Sequence, residues 1–234
     1  MKRLLLASVM AASLVGGAAA SAQTVSVPGT ANPFLAGHPA GTLCCGGDNA
    51  PAHSPVLALT GLSGGETFTI TTDGGANFAP GVPFPTADGG NVFNMTADYG
   101  TGISAPLGVN ASGLVGVFLT ASQPAGAAPA QRNDGISFLA LTPDLGQIFW
   151  MGDGLTGTGS GTLQQFTAPT GADRLFLGTA DGFGWFNNIG TIRVTFNGLN
   201  GAIPEPGTWA MMLTGLLFAG GALRLTRRGK LAST

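Results

Sequence analysis

The stretch from residue 173 to residue 198, DRLFLGTADGFGWFNNIGTIRVTFNG, predicts two strands that are joined by a glycine-rich loop. Residues 174–179 form a largely apolar run, which is typical of a strand that is buried on both faces. The last part alternates instead, because Ile192, Val194 and Phe196 take every second position among polar residues. This period of two indicates a strand with one buried face.

The same two patterns recur throughout residues 23–203. Phe68 and Ile70 alternate with threonines in ETFTITT, and four further runs are largely apolar: PVLALTGL (55–62), GLVGVFLT (113–120), GISFLALT (135–142) and GQIFWM (146–151). This part of the chain contains no lysine and a single glutamate, so it is poor in the residues that favour exposed helices. We therefore predict an all-β domain over residues 23–202, a single antiparallel, jelly-roll-like β-sandwich of seven to nine strands.

Two segments fit this strand pattern less simply. Residues 73–112 are rich in Asp, Asn and Gly, and we predict long loops there, at one end of the sandwich. GDGLTG, at residues 152–157, matches the glycine fingerprint of dinucleotide-binding folds, but a turn and a strand follow it instead of the required helix. We interpret these glycines as a tight or bulged connection between strands.

The charges of residues 23–203 exclude several functions. Three arginines stand against ten acidic residues, which gives a net charge of −7 and an unsuitable surface for nucleic acid. Many aspartates stand in turn sequences such as DGG, NDG and GDG, where aspartate bonds its own backbone. We therefore expect no enzymatic activity.

The only two cysteines, Cys44 and Cys45, are adjacent. Neighbouring cysteines can close only a strained ring, so we expect two thiols in a loop rather than a structural disulfide. His38 and His53 would complete a Cys2His2 set, but its spacing matches none of the common zinc patterns.

The loop of residues 180–190 is the best candidate for a ligand site. Asp181, Asn187 and Asn188, together with main-chain carbonyls, offer the mixture of oxygen ligands that calcium prefers. Trp185 and Phe186 add apolar surface on which a sugar could stack. The other interpretation is a long hairpin, in which the asparagines form a turn and the aromatic residues belong to the core.

The order of these features resembles the C-terminal part of the bacterial calcium-dependent galactophilic lectins: a strand, an Asp-containing loop, Asn187–Asn188 and a further strand. The resemblance implies a small β-sandwich in which Asp181, Asn187 and Asn188 bind calcium and the calcium holds a galactose. One residue fewer separates the aspartate from the asparagine pair than in those lectins. Similar endings also occur in galactose-binding-like jelly rolls without a known ligand.

Both ends of the chain differ from its middle. Residues 1–22 combine the basic Lys2 and Arg3, an apolar run over residues 4–15 and the small residues Ala20-Ser21-Ala22, which predicts a secretory signal peptide. A membrane-spanning anchor is the alternative, but the apolar run is short for a bilayer.

At the other end, Pro204-Glu205-Pro206 precedes an apolar run over residues 209–223 and a basic cluster made of Arg224, Arg227, Arg228 and Lys230. This run predicts a transmembrane helix whose basic residues stay on the cytoplasmic side. The tripartite order resembles the PEP-CTERM sorting signal, over residues 203–230. The resemblance implies that an exosortase, a membrane cysteine protease, recognises Pro204-Glu205-Pro206 and removes the tail; a permanent single-pass anchor is the alternative.

These features predict an exported protein, transiently anchored in the inner membrane and then located at the cell surface or outside the cell. We expect it to bind carbohydrate through a loop at one end of the sandwich, with calcium as the cofactor. The expected partners are the exosortase, the secretion machinery and polysaccharide, and nucleic acid is not among them. The alternative function is a structural component of an exopolysaccharide or biofilm matrix without a specific ligand.

Overall fold

A computed structural model of the chain describes residues 23–95 and 98–199. The predicted signal peptide, the Pro204-Glu205-Pro206 motif, the transmembrane helix and the basic cluster at Arg224, Arg227, Arg228 and Lys230 lie outside the described residues. Within the described ranges, no helix has the length and apolar character needed to cross a bilayer.

The described residues confirm the prediction of an all-β protein. Regular helix is limited to two short 3-10 turns, Pro33–Leu35 and Trp185–Asn187, within the residues that the structure describes. The strands are β1 (Thr24–Pro28), β2 (Leu43–Cys44), β3 (Asp48–Asn49), β4 (Val56–Thr60), β5 (Thr67–Asn77), β6 (Gly90–Phe93), β7 (Val109–Ala111), β8 (Leu114–Leu119), β9 (Ala140–Leu141), β10 (Ile148–Trp150), β11 (Leu155–Gly157), β12 (Ser160–Leu163), β13 (Gln165–Thr167), β14 (Arg174–Thr179) and β15 (Ile189–Asn197).

Two larger sheets organise these strands. The five-stranded sheet has the order β1-β15-β5-β13-β9, and the four-stranded sheet has the order β10-β8-β14-β4. Three two-stranded hairpins accompany them: β2-β3, β6-β7 and β11-β12. The pairing is antiparallel except between β13 and β9, which run parallel. The prediction of purely antiparallel sheets is therefore wrong at the edge of the five-stranded sheet.

The five-stranded sheet has the predicted alternation. Ile192, Val194 and Phe196 are buried along β15, as are Phe68 and Ile70 along β5, and the residues between them are partly or fully exposed. Their side chains share one buried cluster with β8, β10 and β14 of the four-stranded sheet. The ring centroids of Phe68 and Phe118, one from each sheet, lie 6.3 Å apart. Burial of this shared cluster is the main contribution to the stability of the fold.

The four-stranded sheet is covered on both faces. Its second face contributes Val115, Val117, Ile148 and Trp150 to a second buried cluster. Loop residues complete that cluster, among them Phe34, Leu35, Met95, Ile103 and Trp185. Because apolar side chains are buried on both faces, all six residues of β8 and all three of β10 are buried. This burial on both faces explains the continuous apolar runs of the sequence.

Of the two segments that fit the strand pattern less simply, one differs from its prediction and one agrees with it. Strand β5 extends to Asn77, and β6 pairs with β7, so residues 73–112 contain strand where we predicted only loop. The glycines of residues 152–157 form the predicted bulged connection, because β11 and β12 pair with a register shift between Leu155 and Gly157.

Candidate cation and ligand site

The candidate site is the loop that connects β14, which ends at Thr179, to β15, which begins at Ile189. Asp181 Oδ1 accepts hydrogen bonds from the backbone N–H groups of Gly182 (2.6 Å) and Phe183 (3.4 Å). Gly184 follows with φ of 78°, a left-handed conformation that disfavours residues with a Cβ. The chain then enters the 3-10 turn Trp185–Asn187. The loop is thus a compact turn held by hydrogen bonds rather than a long hairpin.

A buried carboxylate from a distant part of the chain holds this turn in place. Asp48 Oδ2 accepts from the backbone N–H of Trp185 at 2.9 Å, and Asp48 Oδ1 accepts from that of Phe186 at 2.9 Å. The Asn32 side-chain amide donates a third bond to Asp48 Oδ2 at 3.0 Å. The N–H groups at the start of a helical turn lack acceptors within the turn, and the Asp48 carboxylate accepts their hydrogen bonds.

The two aromatic residues that we predicted as stacking surface have different environments. Trp185 is 0% exposed, and its Nε1 donates to the Thr179 carbonyl oxygen at 2.8 Å, so its ring has no face open to a ligand. Phe186 is 55% exposed, and Phe183, which the sequence interpretation did not include, is 66% exposed. The apolar surface of this loop therefore consists of Phe183 and Phe186.

The structure brings two of the three predicted calcium ligands together. Asp181 and Asn188 are 8% and 5% exposed, and the Asn188 side-chain amide is close enough to the Asp181 carboxyl group to affect its pKa. Asn188 Nδ2 also donates to the Gly29 carbonyl oxygen at 3.2 Å. Asp181 Oδ2 and Asn188 Oδ1 are buried and accept no hydrogen bond within the described residues. Asn187, by contrast, is exposed.

Burial dominates the electrostatics of Asp181. Loss of hydration raises the pKa of this carboxyl, and the nearby charge of Asp48 raises it further. The Asn188 side-chain amide and the backbone N–H groups of Gly182 and Phe183 lower the pKa, but they do not offset the burial. A cation beside the two unpartnered oxygens would remove this cost.

The donor atoms available here match calcium better than a transition metal. No group of three His, Cys, Asp or Glu side chains in the described ranges is close enough to hold a metal ion. A site at Asp181 would combine its carboxylate with amide and main-chain oxygens, which is the ligand chemistry of calcium. The unpartnered Asp181 Oδ2 and Asn188 Oδ1 fit that chemistry.

The cysteines differ from the expectation of two free thiols, because Cys44 and Cys45 are bonded to each other. This correction also removes the conceivable Cys2His2 site, since a disulfide provides no thiolate ligand. His38 Nε2 lies 2.9 Å from the Thr101 carbonyl oxygen, and His53 Nδ1 accepts from the backbone N–H of Asn49 at 3.1 Å. Both histidines thus have hydrogen-bond partners elsewhere.

The disulfide belongs to the β2–β3 hairpin, which packs on the candidate site. The Cys45 carbonyl oxygen accepts from the Gly184 N–H at 2.8 Å. A Cβ at Gly46 would lie 2.4 Å from the Phe183 ring, so this ring rests directly on the hairpin backbone. The hairpin also carries Asp48, so it holds the ligand loop at three consecutive residues, Gly184, Trp185 and Phe186.

Comparisons of this chain with protein-family models, with curated proteins and with solved structures give no match.

Proposed function

We propose that this chain is an exported, exosortase-sorted protein of the cell surface or extracellular matrix that binds carbohydrate through the loop of residues 180–190. The observation that carries the proposal is the pair of buried, unpartnered oxygens, Asp181 Oδ2 and Asn188 Oδ1, in the same loop as two exposed aromatic rings; neither oxygen has a partner within the described residues. A calcium ion, when bound there, would supply the positive charge that attracts sugar hydroxyl groups.

Each residue of the loop has a role in this proposal. Asp181 and Asn188 hold the cation, and the exposed Asn187 is available to the sugar from the solvent side. Phe186 and Phe183 present apolar faces to the sugar ring, and the buried Trp185 anchors the turn that carries them. Asp48 fixes the backbone of Trp185 and Phe186 and so sets the orientation of the loop.

We also propose that the two larger sheets form one jelly-roll-like sandwich with this loop at one of its ends. The supporting observation is the buried cluster to which both sheets contribute. A sandwich of this kind places loops on a rigid base, which is a common arrangement in binding proteins.

A glycan array with the full chain tests the binding. We expect a saturable signal in the presence of calcium, lost on addition of EDTA and in Asp181→Asn. Asp144→Asn is the matched control, because Asp144 is exposed and its carboxylate makes no hydrogen bond within the described residues. A signal that is equal in the two variants would exclude the loop as the binding site. No saturable signal from the unmodified chain would favour the structural matrix component.

The sorting proposal has a separate test. We expect the mature product to lack the segment that follows Pro204-Glu205-Pro206 and to leave the membrane fraction of cells that contain an exosortase. Replacement of both prolines by alanine removes the extended backbone that a protease requires, so the tail should be retained. Intact mass and fractionation measure both outcomes. Cleavage that is unaffected by the replacement would contradict a role of this motif.

A further inference from the structure

A second pair of buried acidic side chains lies away from the ligand loop. Asp88 precedes β6, and Asp153 lies between β10 and β11. They are 4% and 9% exposed. The Asp153 backbone N–H donates to Asp88 Oδ1 at 2.9 Å, and the Asp153 charge acts on the Asp88 carboxyl group. Two neighbouring buried carboxylates repel each other unless a positive charge or a proton lies between them.

The oxygen atoms of this pair are unequally satisfied. Asp153 Oδ1 accepts from Leu155 N–H at 2.8 Å, and Asp153 Oδ2 accepts from Gly159 N–H at 2.7 Å, which organises the β11–β12 hairpin. Asp88 Oδ2, in contrast, is buried and has no hydrogen-bond partner within the described residues. Buried polar atoms in folded proteins rarely stay without a partner, and a bound ion satisfies such an oxygen as well as a hydrogen bond does.

Within residues 23–95 and 98–199, no side chain supplies a compensating positive charge. The ion pairs formed by the described residues are His53–Asp48, Arg132–Asp134 and Arg193–Asp73, and none includes Asp88 or Asp153. Burial raises the pKa of Asp88, and the Asp153 charge adds to this effect. The pair therefore has negative charge without a cationic partner in this part of the chain.

One member of the pair borders a cleft that is open to solvent. Asp153 borders a cleft of about 300 Å³ whose lining also includes Asp73, Thr71, Thr72 and Thr86. Carboxylate and hydroxyl oxygens along this cleft are suited to a hydrated cation that approaches Asp153. Trp150 lies beside the pair, since a Cβ at Gly152 would be 2.4 Å from Asp88 Oδ1 and 2.8 Å from Trp150 Nε1.

We propose that Asp88 and Asp153 hold a divalent cation, of the calcium class, at a site separate from the ligand loop. Asp88 Oδ2 is its principal ligand, and Asp153 contributes the remaining lone pairs of a carboxylate that the hairpin keeps in position. The ion joins the loop before β6 to the β11–β12 hairpin and replaces the missing positive charge. This site is independent of the carbohydrate proposal.

Terbium luminescence in the full chain tests the site, because Tb³⁺ binds oxygen ligands as calcium does and emits when a nearby tryptophan is excited. Trp150 lies beside this site and Trp185 lies in the ligand loop. We expect Asp88→Asn to lower the affinity of one class of Tb³⁺ sites by about 10-fold or more. Asp181→Asn should leave that class unchanged, and so should the exposed control Asp144→Asn. Equal titrations of Asp88→Asn and Asp144→Asn would overturn the proposal.

A second measurement requires no variant and therefore does not depend on the folding of Asp88→Asn. Crystals of the protein soaked in Tb³⁺ should show an anomalous difference peak between the Asp88 and Asp153 carboxyl groups. A peak at Asp181 alone would overturn this site and leave the carbohydrate proposal intact. A peak between Asp88 and Asp153 alone would support this site and contradict a cation site at Asp181. Two carboxyl groups without a peak would show that a shared proton, rather than a cation, balances the pair.

Discussion

At the scale of single residues, Asp48 accepts three hydrogen bonds although none of its surface is exposed. In Asp48→Asn, a donor nitrogen replaces one acceptor oxygen, so a backbone N–H of Trp185 or Phe186 is left without a partner. We expect the free energy of unfolding to fall by about 1–3 kcal/mol, measured by urea denaturation. The exposed control Asp144→Asn should change it by less than about 0.5 kcal/mol. Equal stability of the two variants would contradict the role of Asp48.

Substitution of Trp185 should lower stability, whereas substitution of its neighbour Phe186 should lower binding. Trp185→Phe leaves the Thr179 carbonyl oxygen without its donor and opens space in the second cluster, so we expect a loss of about 1–3 kcal/mol in urea denaturation. Phe186→Ala removes an exposed ring and should change stability by less than about 0.5 kcal/mol while lowering the glycan-array signal. An unchanged glycan-array signal in Phe186→Ala would show that this ring takes no part in binding.

The sequence indicates some of these residues and not others. Asp181 and Asn188 could be singled out because they lie in one loop whose composition suits a cation. Asp48 could not, because its partner Trp185 lies 137 positions away, and the Gly-Gly-Asp around it is typical of any turn. The burial of Trp185 was equally hidden, since a local sequence does not show which aromatic ring the rest of the chain covers.

At the scale of elements, β8 is buried on both faces and contains Gly116. A Cβ at this position would lie 2.7 Å from Phe149 Cζ and 2.8 Å from Met151 Sδ. We expect Gly116→Ala to lower the free energy of unfolding by about 1–3 kcal/mol through overpacking, measured by thermal denaturation. Gly157→Ala, where the nearest atom would be 3.4 Å away, is the matched control. Equal melting temperatures would show that the core can relax around the methyl group.

Strand positions could be predicted where the burial of a strand imposes a pattern on its sequence. The alternation in β5 and β15 follows from one buried face, and the apolar run of β8 follows from two. The strand predicted over residues 135–142 is too long, because only Ala140–Leu141 forms a strand there. The layer of loops that covers the four-stranded sheet has no periodicity, so no sequence pattern could have revealed it.

At the scale of the whole molecule, strand order could not be predicted, because it depends on contacts between distant segments. Strand β1 pairs with β15 so that Thr24 lies opposite Thr195, and their hydroxyl oxygens are 2.9 Å apart. Nothing in the local sequence of either strand specifies this partner. The all-β class was predictable because composition and periodicity act on every strand independently.

Stability should depend on pH through the two buried aspartates. The pKa of Asp88, which faces Asp153, and that of Asp181, which faces Asp48, lie above the ordinary value of 3.8. The folded state therefore binds these protons more tightly than the unfolded state, and stability present below pH 3.8 is lost as the pH rises through the raised pKa values. Urea denaturation in calcium-free buffer should show this decline.

The control for the pH dependence is a comparison of variants. Asp88→Asn removes one of the two raised groups, so its stability should decline less steeply with pH than that of the exposed variant Asp144→Asn. Calcium should restore stability near neutral pH in the unmodified chain, because it binds the ionised carboxylates of the folded state. Identical pH profiles of the two variants would contradict this electrostatic account.

Calorimetric titration of calcium into the full chain at neutral pH tests the central claim, the cation site at Asp181 and Asn188, most directly. The unmodified protein should show saturable binding, and Asp181→Asn should lose one equivalent of calcium while Asp144→Asn retains it. A titration without binding heat, or one in which Asp181→Asn and Asp144→Asn bind the same number of ions, would contradict the claim.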